Sequence, residues 1–220
     1  MLSNGVESKV GTLGSEYDFF NEWKRLEEQD EGAVSLETML RGICRKENFL
    51  DLVENFIIYD HSGGRTVRIM ARNHQYLGVN EAIKAYEARK LNNGKLGVFW
   101  HTQGSGKSLT MVWFSKWILE NNPNARVLVV TDREELDEQI EKNYKGVDEN
   151  IVRTKSGKDL LERMNAFDDR LLCSLVHKFG KRGSDSSETD YEKYIEDLKN
   201  ALPKDFSAKG DIVVFVDECH

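Results

Sequence analysis

The sequence predicts an α/β fold in which a parallel sheet is covered by helices on both faces. From residue 72 onward, short apolar runs that are typical of buried strands alternate with longer stretches whose apolar residues recur at helical spacing. A glycine-rich segment at 101–108 stands between one such run and the next helical stretch, and the run Ile212–Val216 ends at two acidic residues. Alternation of this kind is typical of parallel sheets, because each helix returns the chain to the same edge.

The N-terminal segment, residues 1–62, is predicted to be mainly helical. Three stretches place apolar side chains on one helical face, and the first follows Ser15 and Asp18, which can begin a helix. These stretches contain Phe19, Trp23 and Leu26; Leu36, Met39, Leu40 and Ile43; and Phe49, Leu52, Val53 and Phe56. The turn at His61–Gly64, between probable short strands at 57–59 and 66–70, marks a boundary. We therefore divide the chain into residues 1–62 and a second domain at 63–220.

From residue 72 onward, the second domain is predicted to contain four strands that alternate with four helices. Its second helix has almost no polar face, so we expect it to be buried between a sheet and another element. A stretch rich in glycine, serine and charge, at 181–190, is predicted to be a solvated loop. The elements in order are a helix at Val79–Tyr86, a strand at Leu96–Trp100, a helix at Leu109–Leu119, a strand at Arg126–Thr131, a helix opening at Asp132, a strand at Leu171–Val176, a helix at Tyr191–Leu202 and the strand Ile212–Val216.

The composition argues against several classes of protein. No apolar stretch approaches the roughly 18 residues that a membrane span needs, and no basic start precedes an apolar segment, so the sequence predicts a cytoplasmic chain. The 3 cysteines lie far apart without Cys-x-x-Cys spacing, which indicates a reduced chain with no zinc site. The net charge of −7 argues against bulk electrostatic binding to nucleic acid, although backbone amides and a few local cations can still grip a strand.

The segment His101–Ser108 has the pattern of a phosphate-binding loop. The backbone N–H groups of Gly104–Ser108 can converge on phosphate oxygens, beside the partial positive charge of a helix N-terminus. Lys107 can reach the β- and γ-phosphates of a nucleotide, and the Ser108 hydroxyl can bind Mg²⁺. His101 departs from the strict pattern, which has glycine there. The alternative is a chance surface turn, against which the flanking apolar strand and helix argue.

A second candidate site follows the apolar run at 212–216. Asp217 and Glu218 stand at its carboxyl end, the edge at which open α/β sheets bind ligands. An acid there can hold Mg²⁺, directly or through water, and its neighbour can orient an attacking water. The alternative is a turn or cap role, which acidic residues at strand ends commonly have. Together with the glycine loop, the two acids predict an ATPase.

With these residues in place, the chain resembles the first motor domain of superfamily-two helicases and translocases, whose Asp-Glu-Ala-Asp/His box is similar to Asp217–His220. More narrowly, it resembles the R (restriction and translocation) subunit of type I restriction–modification enzymes. The segments that carry this narrower resemblance are RNHQYLGVNEAI (72–83), VFWHTQGSGKSLTM (98–111), VLVVTDREELDEQI (127–140), LLCSLVHKF (171–179) and SNGVESKVGT (3–12). The resemblance implies an incomplete RecA-like first motor lobe at 63–220, preceded by a linker that follows a nuclease domain in the family.

The resemblance also implies roles for individual residues. It assigns ATP binding to Thr102, Gln103, Gly104, Ser105, Gly106, Lys107 and Ser108, with Gln75 at the adenine edge; an exposed glutamine at a helix start is the alternative for Gln75. It assigns Mg²⁺ binding to Ser108 and Asp217, and catalysis to Lys107, Asp217 and Glu218. It assigns to His220 the role of coupling nucleotide state to movement. Arg133, His177 and Lys178 fall in segments that face DNA in the family, and salt-bridge or cap roles are equally open to them.

The family implies duplex DNA as the track and methyltransferase and specificity subunits as partners. We find neither a credible set of nuclease metal ligands nor a second motor lobe in these 220 residues. We therefore expect them alone neither to hydrolyse ATP at a meaningful rate nor to cut DNA, and we expect the natural polypeptide to continue past His220. Two alternatives stay open. One is another superfamily-two motor, such as a type III restriction subunit or a DNA or RNA helicase; the other is a non-catalytic module that assembles the motor with its partners.

Overall fold

The computed structural model describes residues 1–131, 134–175 and 206–217. The contacts within the chain define two compact units, Met1–Trp117 and Ile118–His220.

The first unit begins with short strands and continues with helices. Three strands form a small antiparallel sheet, two helices and an antiparallel hairpin follow, and a long helix comes next. These elements are β1 (Leu2–Ser3), β2 (Ser8–Val10), β3 (Asn21–Glu22), α1 (Leu36–Ile43), α2 (Lys46–Asn55), β4 (Ile57–Asp60), β5 (Val67–Met70) and α3 (Asn73–Glu87). The predicted helices at 36–43 and 49–56, the hairpin strands and the helix at 79–86 are thereby confirmed, and the N-terminal segment is partly helical.

The helix predicted around Phe19, Trp23 and Leu26 is wrong. Residues 17–19 form a single 3₁₀ turn, and residues 21–22 pair with β2 as a strand. Phe19 is 66% exposed, whereas Trp23 is only 2% exposed. The Trp23 ring packs 5.3 Å from the ring of Tyr76 and fills the space that Gly42 leaves by having no side chain. The sequence therefore has one buried aromatic side chain here and not a buried helical face. Three apolar residues at helical spacing cannot distinguish the two.

The predicted boundary near residue 62 falls in the turn between β4 and β5. Tyr59 and Arg68 stand opposite each other across this hairpin, and both lie in the first unit. The division of the chain into residues 1–62 and 63–220 stays a prediction.

The helix that follows the glycine loop, α4 (Lys107–Asn121), begins in the first unit and ends in the second. Val112, Trp113, Phe114 and Ile118 are each at most 1% exposed, although they point to several sides of the helix. The Tyr86 ring of α3 meets the rings of Phe114 and Trp117 edge-on, at 6.4 and 6.1 Å between centroids. The predicted helix is confirmed, and most of its apolar residues are buried.

The second unit contains a four-stranded parallel sheet flanked by helices. Its central strand pairs on one side with the strand at 171–175 and on the other with the strand at 211–216. The elements are β6 (Ala125–Thr131), α5 (Glu134–Gly146), β7 (Val152–Arg153), α6 (Gly157–Asn165), β8 (Leu171–Leu175) and β9 (Asp211–Val216), and the order in the sheet is β7-β8-β6-β9. The predicted α/β fold with a parallel sheet, of the kind found in RecA-like motor domains, is confirmed.

Strand β9 is less buried than the sequence predicted. Val213 is 7% exposed, but Val214 and Val216 are 50% and 52% exposed. Among the described residues β9 pairs with β6 alone, so it forms an edge of the sheet. An apolar run of five residues fits either a buried strand or an edge strand, because periodicity does not report how many neighbours a strand has.

The strand predicted at Leu96–Trp100 does not form. Residues 95–100 adopt no regular structure, and Val98 and Trp100 are 77% and 93% exposed. A strand needs a neighbour that satisfies its N–H and C=O groups, and no described strand pairs with this segment. The loop predicted at 181–190, the helix predicted at 191–202 and the helix start predicted at Asp132 lie outside the described residues.

A buried arginine ties together the amino-terminal edge of the second unit. Arg126 is only 2% exposed. The three nitrogens of its guanidinium donate to four backbone carbonyls, which belong to Asp169 (2.9 Å), Met164 (2.9 Å), Arg163 (2.8 Å) and Lys209 (3.3 Å). Two of these carbonyls lie in the last turn of α6, where helix carbonyls lack partners within the helix. Burial lowers the pKa of Arg126 from its ordinary value, while Asp169 and Asp168 oppose that shift. In the part of the chain that the structure describes, no helix combines the length and apolar character required to traverse a bilayer.

Candidate functional site

The glycine loop adopts a conformation that glycine permits. Gly104 and Gly106 have φ angles of +77° and +88°, which side-chain-bearing residues rarely adopt. Ser105 N–H donates to the Thr102 carbonyl at 3.3 Å, which closes a turn between them. Helix α4 begins immediately at Lys107, and the Gly106 carbonyl accepts from Thr110 N–H at 3.1 Å. The first N–H groups of α4 therefore have no acceptor within the helix and carry its partial positive charge, which suits an anion.

The side chains of the loop combine exposed and buried positions. Thr102, Gln103 and Gly104 are exposed, whereas Ser105 to Ser108 are partly buried. The Lys107 ammonium donates to the His101 carbonyl at 3.1 Å, so its charge lies at the mouth of the loop. The Ser105 hydroxyl is buried and has no hydrogen-bond partner among the described residues. An exposed glycine turn, a helix N-terminus and a lysine fit the triphosphate of a nucleotide.

The structure brings Gln75 against this loop, although 31 residues separate it from Gly106. Gln75 is 2% exposed and stands in the first turn of α3. Its Oε1 accepts from Arg72 N–H at 2.9 Å, and its Nε2 donates to the Gly106 carbonyl at 3.1 Å. The amide therefore supports the loop directly and is not the exposed helix-start glutamine that the alternative described.

Two histidines lie beside the loop, and the sequence pattern predicted a role for neither side chain. His74 Nε2 lies 3.0 Å from the Ser105 carbonyl oxygen, which can only accept, so Nε2 is the donor of this hydrogen bond. The His101 ring meets the His74 ring edge-on, with 5.1 Å between centroids. Burial lowers the pKa of His101. The neighbouring His74 and Lys107 lower this pKa further, whereas Glu28 raises it. The only sequence signals were the place of His74 beside Gln75 and of His101 where the strict pattern has glycine.

Asp217 stands where the second candidate site was predicted, directly after β9. Its N–H donates to the Val130 carbonyl at 2.9 Å, which holds it at the carboxyl end of the sheet beside β6. Asp217 belongs to the second unit and the glycine loop to the first. The other predicted site residues, Glu218, His220, Arg133, His177 and Lys178, lie outside the described residues. Within residues 1–131, 134–175 and 206–217, no group of three or more His, Cys, Asp or Glu side chains could hold a metal ion.

The fold is of the kind found in RecA-like motor domains, and comparison with known proteins shows the family to which the chain belongs. Residues 74–220 match the family model described as SWI2/SNF2 ATPase, and the chain belongs to this family. Over its whole length the chain is 32% identical to the type I restriction enzyme HindI endonuclease subunit of Haemophilus influenzae, and it covers 21% of that protein. It is 24% identical, again over its whole length, to the type I restriction enzyme SauCOLORF180P endonuclease subunit of Staphylococcus aureus, covering 22% of it.

The predicted resemblance to type I restriction subunits is thereby confirmed. The chain spans about a fifth of the length of the curated relatives it matches.

Proposed function

We propose that this chain is part of the ATP-dependent DNA-translocating and restriction subunit of a type I restriction endonuclease. The observation that carries the proposal is the glycine loop at the start of α4, supported from α3 by Gln75, in a chain that aligns throughout with type I restriction endonuclease subunits. This similarity, which extends over the whole of the chain, favours a type I restriction motor over other superfamily-two helicases and over a type III restriction motor.

The proposed chemistry is the binding of ATP–Mg²⁺ by residues 102–108. Backbone N–H groups of Gly104–Ser108 would hold the phosphates, while Lys107 neutralises charge that develops on the γ-phosphate. Ser108 and Asp217 would hold Mg²⁺, Glu218 would orient the attacking water, and Gln75 would contact the adenine edge. Mg²⁺, when bound, supplies charge neutralisation between the β- and γ-phosphates.

The proposed partners are duplex DNA and the methyltransferase and specificity subunits of a restriction–modification complex in the cytoplasm. Arg133, His177 and Lys178 are the proposed DNA contacts, and His220 is proposed to link nucleotide state to movement. Hydrolysis in such motors needs charge stabilisation from an arginine on an opposing lobe, which raises the rate by roughly 10³–10⁵. We propose that these 220 residues alone bind ATP but neither hydrolyse it at a meaningful rate nor cut DNA. Robust DNA-stimulated ATP turnover by a monodisperse monomer of this chain would contradict this part of the proposal.

The binding of nucleotide is tested with a fluorescent ATP analogue in the presence of Mg²⁺. Lys107→Ala removes a charge-assisted contact to phosphate, so we expect affinity to fall about 10- to 100-fold. Lys90→Ala is the matched control, since Lys90 is an exposed lysine in the same unit and lies outside the loop. Equal affinity of folded Lys107→Ala and the unmodified chain would show that the loop does not bind the phosphates. No binding of the analogue by the unmodified chain would favour the alternative of an assembly module.

A further inference from the structure

The contact between His74 and Ser105 fixes the direction of a peptide plane in the loop. The Ser105 carbonyl points at His74 Nε2, 3.0 Å away. The chain has no cis peptide bonds among its described residues, so the C=O of Ser105 and the N–H of Gly106 point in opposite directions within one plane. The N–H of Gly106 must therefore point away from α3.

The next peptide plane is held in the same way. The Gly106 carbonyl accepts from Gln75 Nε2 at 3.1 Å, so the N–H of Lys107 also points away from Gln75. Two consecutive amides thus face the side opposite to α3, at the N-terminus of α4. Successive N–H groups that point to one side form an anion-binding nest. His74 contacts the carbonyl of the first peptide plane, and Gln75 contacts the carbonyl of the second, which also accepts from Thr110 N–H of α4 at 3.1 Å.

The His74 ring is itself held by its surroundings. The His101 ring packs against it edge-on at an interplanar angle of 88°, and the Phe99 ring lies 6.0 Å from His101. Gly78 lies one turn after His74 on the same face of α3. A Cβ on Gly78 would lie 3.1 Å from the Phe99 ring and 3.7 Å from His101, so the absence of a side chain lets this segment approach the helix. This packing gives His101 a role at a position where the strict pattern has glycine.

The backbone that carries His74 is anchored to the N-terminal segment. The Asn73 side chain accepts from Lys24 N–H at 3.1 Å and Arg25 N–H at 2.9 Å, and it donates to the Arg25 carbonyl at 2.9 Å. On the other side of His74 in the chain, Tyr76 packs between Trp23 and Phe56, with ring centroids 5.3 and 4.7 Å away. His74 therefore projects from a turn of helix whose position is fixed by buried contacts, as a positioning residue requires.

We propose that His74 is a positioning residue for nucleotide binding, which orients the Gly106 N–H toward the phosphates by holding the Ser105 carbonyl. The inference rests on the proposed function of the loop, and it assigns His74 a role that acts through the backbone. What matters is the N–H donor at the position of Nε2, which lies 3.0 Å from the Ser105 carbonyl, whereas the other donor to this carbonyl, Gln75 Nε2, lies 3.5 Å away. A side chain at 74 that places an N–H donor near the Ser105 carbonyl should keep the loop in its conformation, whereas an aromatic ring without such a donor should not.

The test compares two replacements that separate the donor from the ring. His74→Gln keeps an N–H at a similar distance from the backbone and loses the ring, whereas His74→Phe keeps an aromatic ring against His101 and loses the donor. We expect His74→Phe to weaken binding of a fluorescent ATP analogue roughly 3- to 10-fold. The affinity of His74→Gln for the analogue should stay close to that of the unmodified chain. His61→Phe, in the hairpin turn, is the matched control. Equal losses in both His74 variants, or no loss in His74→Phe, would overturn the proposal.

A second measurement, made without nucleotide, separates this inference from the proposed function. The amide resonances of Gly106 and Lys107 in ¹H–¹⁵N spectra report the orientation of the two peptide planes. We expect both to shift in His74→Phe and to remain near their original positions in His74→Gln, in chains that unfold with the same midpoint. If the unmodified chain binds no ATP but the resonances respond in this way, the function fails while the positioning holds. Unchanged resonances in His74→Phe would refute the positioning whether or not ATP binds.

Discussion

Gln75 Nε2 donates to the Gly106 carbonyl at 3.1 Å, and a Cβ added to Gly106 would lie 2.6 Å from that same nitrogen. The amide end of Gln75 thus occupies the space that a side chain at 106 would need, and the φ angle of +88° also favours glycine there. Gly104 has a similar positive φ angle, but a Cβ there would meet no atom within 4 Å. The backbone conformation therefore favours glycine at both positions, and at 106 the nearby Gln75 amide is a second reason.

We predict that Gly106→Ala destabilises the chain more than Gly104→Ala. Both replacements place alanine in the left-handed region, which costs roughly 1–2 kcal/mol. Gly106→Ala must also displace the buried Gln75 amide, which adds about 1–3 kcal/mol from an unsatisfied polar group. The measurement is the free energy of unfolding in denaturant. In the double variant Gly106→Ala/Gln75→Ala the additional cost should vanish, as a double-mutant cycle would show; equal costs for the two glycines would contradict the prediction.

The role of Gln75 can be resolved by comparing nucleotides. A side-chain amide has two N–H groups and two acceptor lone pairs, and the contacts to Arg72, Gly106 and, at 3.5 Å, Ser105 leave an acceptor lone pair on Oε1 for a purine edge. If Gln75 contacts adenine, Gln75→Ala should reduce the preference for ATP over GTP more than it reduces triphosphate binding overall. The measurement is the ratio of the two affinities in competition assays. Equal losses for ATP and GTP would reject the adenine contact and leave support of the loop as the role of Gln75.

The sequence predicted those parts of the fold and site that depend on local patterns. The central strand β6, the apolar helix α4 and the glycine loop all carry their signal in adjacent residues. The predicted strand at 96–100 failed because strand formation depends on a neighbour, and the predicted helix around Trp23 failed because one buried ring produced the spacing of a helical face. His74 could not be found by pattern, because its partner Ser105 lies 31 positions away and is a backbone group.

Acid should destabilise the chain through His101. Burial lowers the pKa of His101 below its ordinary value of 6.5, with His74 and Lys107 adding to the shift and Glu28 opposing it. The unfolded chain therefore binds a proton at a higher pH than the folded chain does, so stability should fall as the pH drops below about 6.5. We expect His101→Asn to lose less stability than the unmodified chain between pH 7 and pH 5. The control is His61→Asn, and parallel pH profiles of the unmodified chain and His101→Asn would count against the prediction.

We predict that the hydrogen bonds of Arg126 contribute to the stability of the second unit. Its planar guanidinium donates to four backbone carbonyls from three nitrogens, a geometry that neither an ammonium nor a thioether can reproduce. Arg126→Met fills part of the same volume but leaves these carbonyls without a donor, so we expect the free energy of unfolding to fall by about 3 kcal/mol. Lys158→Met is the control, because Lys158 is 83% exposed and its ion pair with Glu162 spans 3.8 Å, for which an effect under about 1 kcal/mol is expected. Arg126→Lys should recover little of the loss, since a single ammonium cannot span carbonyls at the end of α6, in the Asp169 turn and before β9. A loss no larger for Arg126→Met than for Lys158→Met would mean that the buried hydrogen bonds of Arg126 add nothing to the stability of this unit.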